Sequence, residues 1–137
     1  MQHEKFMAEA LKEAKKAYKR GDNPIGAVAV LKGKIIARGS DRKESKKDPT
    51  AHAEIECLRK AAKRVGDWRL TKVKIYSTLE PCYMCAGAML NARIEQLIYG
   101  TKSPLSGAAK ILKGRAIGNI LKKECGQILK RFFKKLR

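Results

Sequence analysis

Acidic residues are scarce in this sequence. Its 137 residues include 32 Lys and Arg but only 13 Asp and Glu, so the formal net charge at pH 7 is +19. Such a charge does not select a fold, but it attracts polyanions over long distances. The first candidate partner is therefore a nucleic acid, and the second is an anionic membrane surface.

Long apolar runs and abundant cysteines are also missing. No stretch approaches the roughly 20 consecutive apolar residues that span a bilayer, and residues 1–16 lack the apolar centre of a secretory signal. We therefore expect a cytoplasmic protein that does not insert into a membrane. The 4 cysteines are too few for a disulfide framework. Cys82 and Cys85 form a C-x-x-C pair, which in a reducing compartment indicates metal binding or redox chemistry.

Apolar residues are sufficient for one core. They make up 44% of the sequence and are spread along it. Two independent domains would each fall near the lower size limit for unaided folding. We therefore expect residues 1–137 to form a single domain.

The spacing of apolar residues predicts alternating helices and strands. The predicted helices cover residues 4–20, 50–65 with Asp48 as N-cap, a segment that opens at Pro81, and 118–136. The predicted strands cover residues 25–31, 34–38, 73–78 and 94–99, with loops at 41–47 and 100–107. This order indicates the α/β class, a mixed sheet with helices on both faces.

Two short fragments combine residues with metal and proton chemistry: His52-Ala53-Glu54 and Pro81-Cys82-Tyr83-Met84-Cys85. One imidazole and two thiolates suit zinc and leave the fourth tetrahedral position open for water, whose pKa zinc lowers toward about 7. Glu54 lies two residues after His52, so it does not share the histidine's direction toward the metal. It can still accept and return protons beside the metal.

A redox cysteine pair and a structural zinc site are the alternatives. The sequence has no second C-x-x-C, and its only other histidine is His3. Cys57 and Cys125 lack ligand spacing. The order of the two fragments matches the H-x-E…P-C-x-x-C signature of zinc deaminases, so a catalytic zinc is favoured.

Three longer strings resemble the bacterial tRNA-specific adenosine deaminases of the cytidine deaminase superfamily. They are NPIGAV at 23–28, DPTAHAEI at 48–55 and TLEPCYMCAGAM at 78–89. The resemblance implies a three-layer α/β/α fold, a homodimer and hydrolytic conversion of the wobble adenosine of a tRNA anticodon to inosine. It also implies that His52, Cys82 and Cys85 hold one zinc ion per subunit, while Glu54 carries the protons.

The candidate substrate contacts are Asn23, Asp41, Ala53, Pro81, Ser103 and Phe133. Asp41 stands where the family leads us to expect Asn, and an ionised carboxylate donates no hydrogen bond to a base. Ser103 stands where the family usually has an Asp near the backbone of the target nucleotide. We expect the loss of this negative charge beside a phosphate to relax the demand for a particular nucleic-acid backbone, so single-stranded DNA becomes a further candidate substrate.

The C-terminal third also departs from the family. The stretch Lys110–Asn119 is shorter than its counterpart, which normally holds a helix, a loop and a fifth strand. We therefore expect four strands, with the fifth missing or reduced to a stub.

Basic residues flank the apolar stripes of the first and last predicted helices. They are Lys12, Lys15, Lys16, Lys19 and Arg20 in the first, and Lys122, Lys123, Lys130, Arg131, Lys134, Lys135 and Arg137 in the last. An isolated basic run is usually a solvated face. With a net charge of +19 and a predicted base-modifying site, we expect phosphate contacts that weaken with salt.

Three functions remain open. The leading hypothesis is a zinc-dependent adenosine deaminase acting on tRNA. The second is a deaminase of a free base or nucleotide (guanine, cytosine or deoxycytidylate), which Asp41 favours and the basic surface opposes. The third is a zinc-stabilised nucleic-acid-binding module without catalysis. Glu54 opposes this hypothesis, because a purely structural zinc site does not need a carboxylate beside an open coordination position.

Overall fold

A mixed sheet of five strands forms the centre of the fold in the computed structural model, which describes residues 2–136. The strands are β1 (Gly26–Leu31), β2 (Lys34–Ser40), β3 (Val73–Leu79), β4 (Gln96–Thr101) and β5 (Ala116–Ile117), in the spatial order β2-β1-β3-β4-β5. Strand β1 is antiparallel to both of its neighbours, whereas β3, β4 and β5 run parallel.

Helices cover both faces of this sheet. They are α1 (Gln2–Arg20), α2 (Lys43–Lys46), α3 (Ala53–Val65), α4 (Tyr83–Ala92) and α5 (Lys122–Lys135), with a 3-10 helix at Ala109–Leu112. Within residues 2–136, no helix is long and apolar enough to cross a membrane. Met1 and Arg137 lie outside the described residues.

Two apolar cores on opposite faces of the sheet explain the three layers. Along β1, Ala27 and Ala29 belong to the core under α3 and α4, whereas Val28 and Val30 belong to the core under α1 and α5. Consecutive side chains of a strand point to opposite faces, so a strand that is apolar throughout must be covered on both. The α/β/α prediction is confirmed.

A glycine brings β2 unusually close to the start of α3. A Cβ atom on Gly39 would lie 2.3 Å from the backbone oxygen of Ala53. Any larger residue would therefore push the helix away from the sheet at the end where His52 and Glu54 are located.

Several predicted boundaries need correction. Strand β2 ends at Ser40 rather than Arg38, helix α4 begins at Tyr83 rather than Pro81, and strand β4 begins at Gln96 rather than Ile94. The third helix begins at Ala53 rather than at residue 50, because the Asp48 carboxylate accepts hydrogen bonds from the Thr50 N–H (2.8 Å) and hydroxyl (2.7 Å) and closes a turn before the helix. The expected loop at 41–47 contains the one-turn helix α2. Strand β4 extends to Thr101, and the last helix begins at Lys122, after Leu121 with a left-handed φ of 54°.

The fifth strand is a stub rather than missing. Ala116 and Ile117 pair in parallel with Leu97 and Ile98 of β4. The segment that precedes the stub forms only the short 3-10 helix. Within residues 110–119, only Ala116 and Ile117 therefore form a strand that pairs with β4.

Candidate active site

The starts of two helices bring the predicted metal ligands together. His52 is the N-cap of α3 and Cys82 is the N-cap of α4, both with extended backbone conformations. Cys85 follows in the first turn of α4. The two helices pack against each other on one face of the sheet, so ligands that are distant in sequence meet at their N-terminal ends.

The ligand atoms have the spacing that a tetrahedral zinc ion requires. His52 Nδ1 lies 3.7 Å from Cys82 Sγ and 3.5 Å from Cys85 Sγ, and the ligand atoms of all three residues lie within 4.8 Å of one another. Zinc bonds of about 2.0–2.1 Å to nitrogen and 2.3 Å to sulfur at tetrahedral angles place the two atoms about 3.6 Å apart. These residues fit the ion.

Electrostatics at this group also favour a cation. Burial lowers the pKa of His52, with the charge of Asp41 opposing the shift, and this shift favours the neutral imidazole, the form that ligates a metal. Burial, and then the negative charge of Glu54, raises the pKa of the Cys85 thiol far above its ordinary range. A positive ion at this position would offset that cost, because metal binding favours the thiolate.

Glu54 lies beside this group on the first turn of α3. Its side chain is buried, with 4% exposure. Burial raises its pKa to about 7, with a further increase from the charge of Asp41 and an opposing effect of the Ser77 hydroxyl. A carboxyl group with this pKa can accept and release protons near neutral pH.

Asp41 occupies the segment that leads from β2 to α2. It is 2% exposed, and its Oδ1 accepts a hydrogen bond of 3.0 Å from the Lys43 N–H. Burial raises its pKa. Because its charge acts on both His52 and Glu54, Asp41 lies close to the ligand group.

A groove of about 760 Å³ is lined by Asn23, Ser103 and Phe133. The apolar residues Ile25 and Leu79 also line it. Three basic residues also line it: Lys102, Lys130 and Lys134. Three of the six predicted substrate contacts therefore share one basic groove.

Comparison with known proteins places this architecture in a family. A family profile described as MafB19-like deaminase matches residues 1–137. A tRNA-specific adenosine deaminase of Bacillus subtilis (strain 168) is 41% identical over 147 residues, covering 99% of this chain and 91% of that protein. The chain belongs to the tRNA-specific adenosine deaminase family.

Solved structures agree with this assignment. A structure from a study of A-to-I editing by tRNA:A34 deaminases matches with a TM-score of 0.86 at 39% identity, covering 90% of this chain and 98% of that one. A guanine deaminase from Bacillus subtilis matches with a TM-score of 0.73 at 36% identity, covering 82% of this chain and 76% of that one. The deaminase fold therefore accommodates more than one base chemistry.

The other three predicted contacts lie next to the ligand residues of this deaminase rather than in the groove. Ala53 follows His52 and is completely buried, and Pro81 precedes Cys82 and is also buried. Asp41 acts on the group through its charge. The structure thus divides the predicted contacts between the ligand group and the groove.

Sequence reasoning missed a buried network behind Asp41. Asp22, which is completely buried, accepts hydrogen bonds from Arg20 Nε (3.0 Å) and from the N–H and the hydroxyl of Ser45 (both 2.9 Å). Arg20 was expected on the basic outer face of α1, and that interpretation is wrong, because its guanidinium turns toward this network. No local signal in the sequence distinguishes Arg20 from the neighbouring lysines.

Proposed function

We propose that this deaminase converts adenosine to inosine by hydrolysis in a polynucleotide, at the wobble position of a tRNA anticodon. The observation that carries the proposal is the convergence of His52, Cys82 and Cys85 within 4.8 Å beside the buried carboxyl group of Glu54. A purely structural site would have four protein ligands and no need for an adjacent proton carrier.

One zinc ion per subunit is the cofactor in this proposal. One imidazole and two thiolates are soft or borderline ligands, which favour zinc over magnesium or calcium. When bound, zinc supplies Lewis acidity, which allows water to lose a proton near neutral pH. His52, Cys82 and Cys85 hold the ion at the junction of α3 and α4, next to Glu54.

Glu54 moves the protons of the reaction. Deamination consumes one water and releases one ammonia, so a proton must leave the water and the amino group must leave protonated. Glu54 takes one proton from the water and delivers it to N1 of the adenine as the water oxygen bonds to C6. It then takes the remaining proton of that hydroxyl and delivers it to the amino nitrogen, so the C6–N bond breaks, ammonia leaves and the C6 carbonyl of inosine remains. Its pKa of about 7 permits transfer in both directions near neutral pH.

Six further residues bind the substrate in this proposal. Asp41, Ala53 and Pro81 border the target base at the ligand group. Asn23, Ser103 and Phe133 line the groove, which receives the nucleotides that flank the target. Phe133 is 50% exposed and offers an aromatic face on which a splayed base can stack.

The charge of the groove favours a polynucleotide over a free base. Lys102, Lys130 and Lys134 line it, and lysines that neutralise phosphates supply affinity without sequence information. A neutral free base has no phosphate for them to bind. Ser103 brings no negative charge to the groove, so single-stranded DNA is a further substrate candidate after tRNA.

The proposed assembly is a cytoplasmic homodimer in which residues 1–137 act as one deaminase domain. Helix α4 exposes the large side chains of Tyr83 (59%), Met84 (37%) and Leu90 (36%). Exposed apolar side chains grouped on one helix are typical of protein contact surfaces. Light scattering should therefore give twice the chain mass of 15.3 kDa.

A free-base deaminase is the second candidate, favoured by the likeness to guanine deaminase and by Asp41. To separate the two, the purified protein is incubated with an anticodon stem-loop, a single-stranded DNA of matched sequence, and free guanine and cytosine. Mass spectrometry then detects inosine, xanthine and uracil. Inosine in the stem-loop supports the proposal. Xanthine or uracil from the free bases alone contradicts it, and no product from any substrate with zinc present favours the binding module.

A further inference from the structure

The segment 102–108, named here the groove loop, connects β4 to the 3-10 helix and carries Ser103 into the groove. Its tip has little packing of its own, since Leu105 is 98% exposed. Hydrogen bonds within the loop join the hydroxyls of Ser103 and Ser106 at 3.1 Å. The loop therefore needs an outside support if it is to present a fixed surface to a nucleotide.

The carboxylate of Glu80 provides that support. Its Oε1 accepts a hydrogen bond from the Ser103 N–H (3.3 Å) and its Oε2 accepts one from the Ala109 N–H (3.1 Å). The two oxygens thus hold the start of the groove loop and the residue that follows its end. Within residues 2–136, no other side chain outside the groove loop forms a hydrogen bond with it.

The groove loop is shaped to admit this carboxylate. A Cβ atom on Gly107 would lie 2.2 Å from Glu80 Oε1, a distance that two such atoms cannot share. Backbone hydrogen bonds fix only the two ends of the loop, from the Glu80 N–H to the Thr101 oxygen (2.8 Å) and from the Ala108 N–H to the Pro81 oxygen (2.9 Å). The Glu80 side chain adds a hydrogen bond at Ser103, which lies between these two ends.

Glu80 also lies next to the ligand group along the chain. It directly precedes Pro81 and Cys82, so the segment that carries a metal ligand also carries the support of the groove loop. Glu80 thus links the segment of the ligand Cys82 to the groove loop at Ser103. A loosened loop would leave the ligands in place and change only the groove.

We infer that Glu80 is a positioning residue, which holds the groove loop in the conformation that receives the nucleotide beside Ser103. It therefore sets the affinity for the polynucleotide and not the rate of deamination. The inference rests on the proposed function. It assigns to Glu80 a role in substrate binding that is separate from proton transfer by Glu54.

The direct test is Glu80→Gln. The amide keeps the size of the side chain but has one acceptor oxygen instead of two, so one of the two loop hydrogen bonds is lost. We expect the KM for an anticodon stem-loop to rise about 5- to 20-fold, because the loss of one hydrogen bond changes an equilibrium by roughly tenfold. We expect kcat to stay within about twofold, because binding and chemistry separate in this way when a ground-state contact is removed.

Two companion variants make the test specific. In Gly107→Ala the added methyl group displaces the Glu80 carboxylate without altering its charge. This substitution should therefore raise KM by a similar factor. Glu95→Gln is the matched control, because Glu95 is an exposed acid near Lys74 at the other end of the sheet, and its KM should equal that of the unsubstituted chain. Metal analysis should find one zinc per chain in all three.

An unchanged KM in Glu80→Gln overturns the inference, as does a fall in kcat at constant KM. Loss of zinc from both Glu80→Gln and Gly107→Ala also overturns it, because Glu80 would then support the metal ligands. If the unsubstituted chain forms no inosine, the proposed function fails instead. Fluorescence anisotropy with the stem-loop then decides the inference: a 5- to 20-fold rise in Kd supports it, and an equal Kd overturns it.

Discussion

Arg20 donates a hydrogen bond of 2.8 Å from its guanidinium to the backbone oxygen of Asp41. The same guanidinium binds the Asp22 carboxylate, which in turn holds Ser45 of α2. The end of the first helix therefore fixes the segment that carries Asp41 next to the ligand group. Under the proposed function, recognition of the base by Asp41 therefore depends on a network that begins at the end of α1.

Asp22→Asn should destabilise the fold. Asp22 is completely buried and accepts three hydrogen bonds, of which the amide can retain only part. The expected loss is about 2 kcal/mol in the free energy of unfolding at pH 7, since hydrogen bonds to charged groups contribute roughly 1.5–3 kcal/mol. Urea unfolding followed by circular dichroism measures it, and an equal free energy in both chains would refute the assignment.

The same pair of chains should differ in pH dependence. Burial acts to raise the pKa of Asp22, but the hydrogen bonds from Ser45 and Arg20 outweigh it and leave the pKa below its ordinary value of 3.8. The carboxylate therefore stabilises the fold fully above that value, and the contribution is lost as the pH falls through the lower folded pKa. The difference in unfolding free energy between the two chains should shrink below about pH 4.

Asp41→Asn should improve recognition of the adenine. The amide oxygen can still accept the hydrogen bond from the Lys43 N–H, while the new amide N–H can donate to a ring nitrogen of the base. We expect kcat/KM for an adenosine stem-loop to rise about 3- to 10-fold, the value of one added neutral hydrogen bond. Steady-state kinetics decides it, and a lower kcat/KM would show that the carboxylate itself recognises the base.

Phe133→Ala should weaken stem-loop binding. Phe133 lines the groove, and loss of a base–aromatic stack should raise Kd about 5- to 100-fold. Trp68→Ala is the matched control, because Trp68 is equally exposed (51% against 50%) but lies outside the groove. Fluorescence anisotropy compares the two, and equal effects of both substitutions would remove Phe133 from the substrate site.

The ligand group could be predicted because its information is local. Cys82 and Cys85 fall within one turn of a helix, and His52 with Glu54 begins another, so short spacings and resemblance were sufficient. The hydrogen bonds that support this group could not be predicted. Arg20 and Asp41 are distant in the sequence, as are Glu80 and Ala109, and they meet only in the folded chain. Glu80 belongs to the string at 78–89, but nothing in that string indicates that its carboxylate binds the N–H groups of Ser103 and Ala109.

The start of α3 and the fifth strand show a second limit of prediction from local sequence. Asp48 followed by Pro49 is a typical helix start, yet its carboxylate closes a turn on Thr50, and the helix begins only after His52. Asp48 can either cap a helix or close a turn, and the spacing of the residues alone does not distinguish these two structures. The two-residue β5 has no periodicity of its own and exists only because β4 lies beside it.

The central claim is that Glu54 carries the protons of deamination beside the metal group, and Glu54→Gln tests it most directly. Glu56→Gln on the same helix is the control, because Glu56 is similarly buried but binds Lys46. Mass spectrometry of a stem-loop should show inosine formation lower by about 100- to 10,000-fold in Glu54→Gln, with one zinc per chain retained and Glu56→Gln active. Normal inosine formation by a zinc-loaded Glu54→Gln chain would contradict the claim.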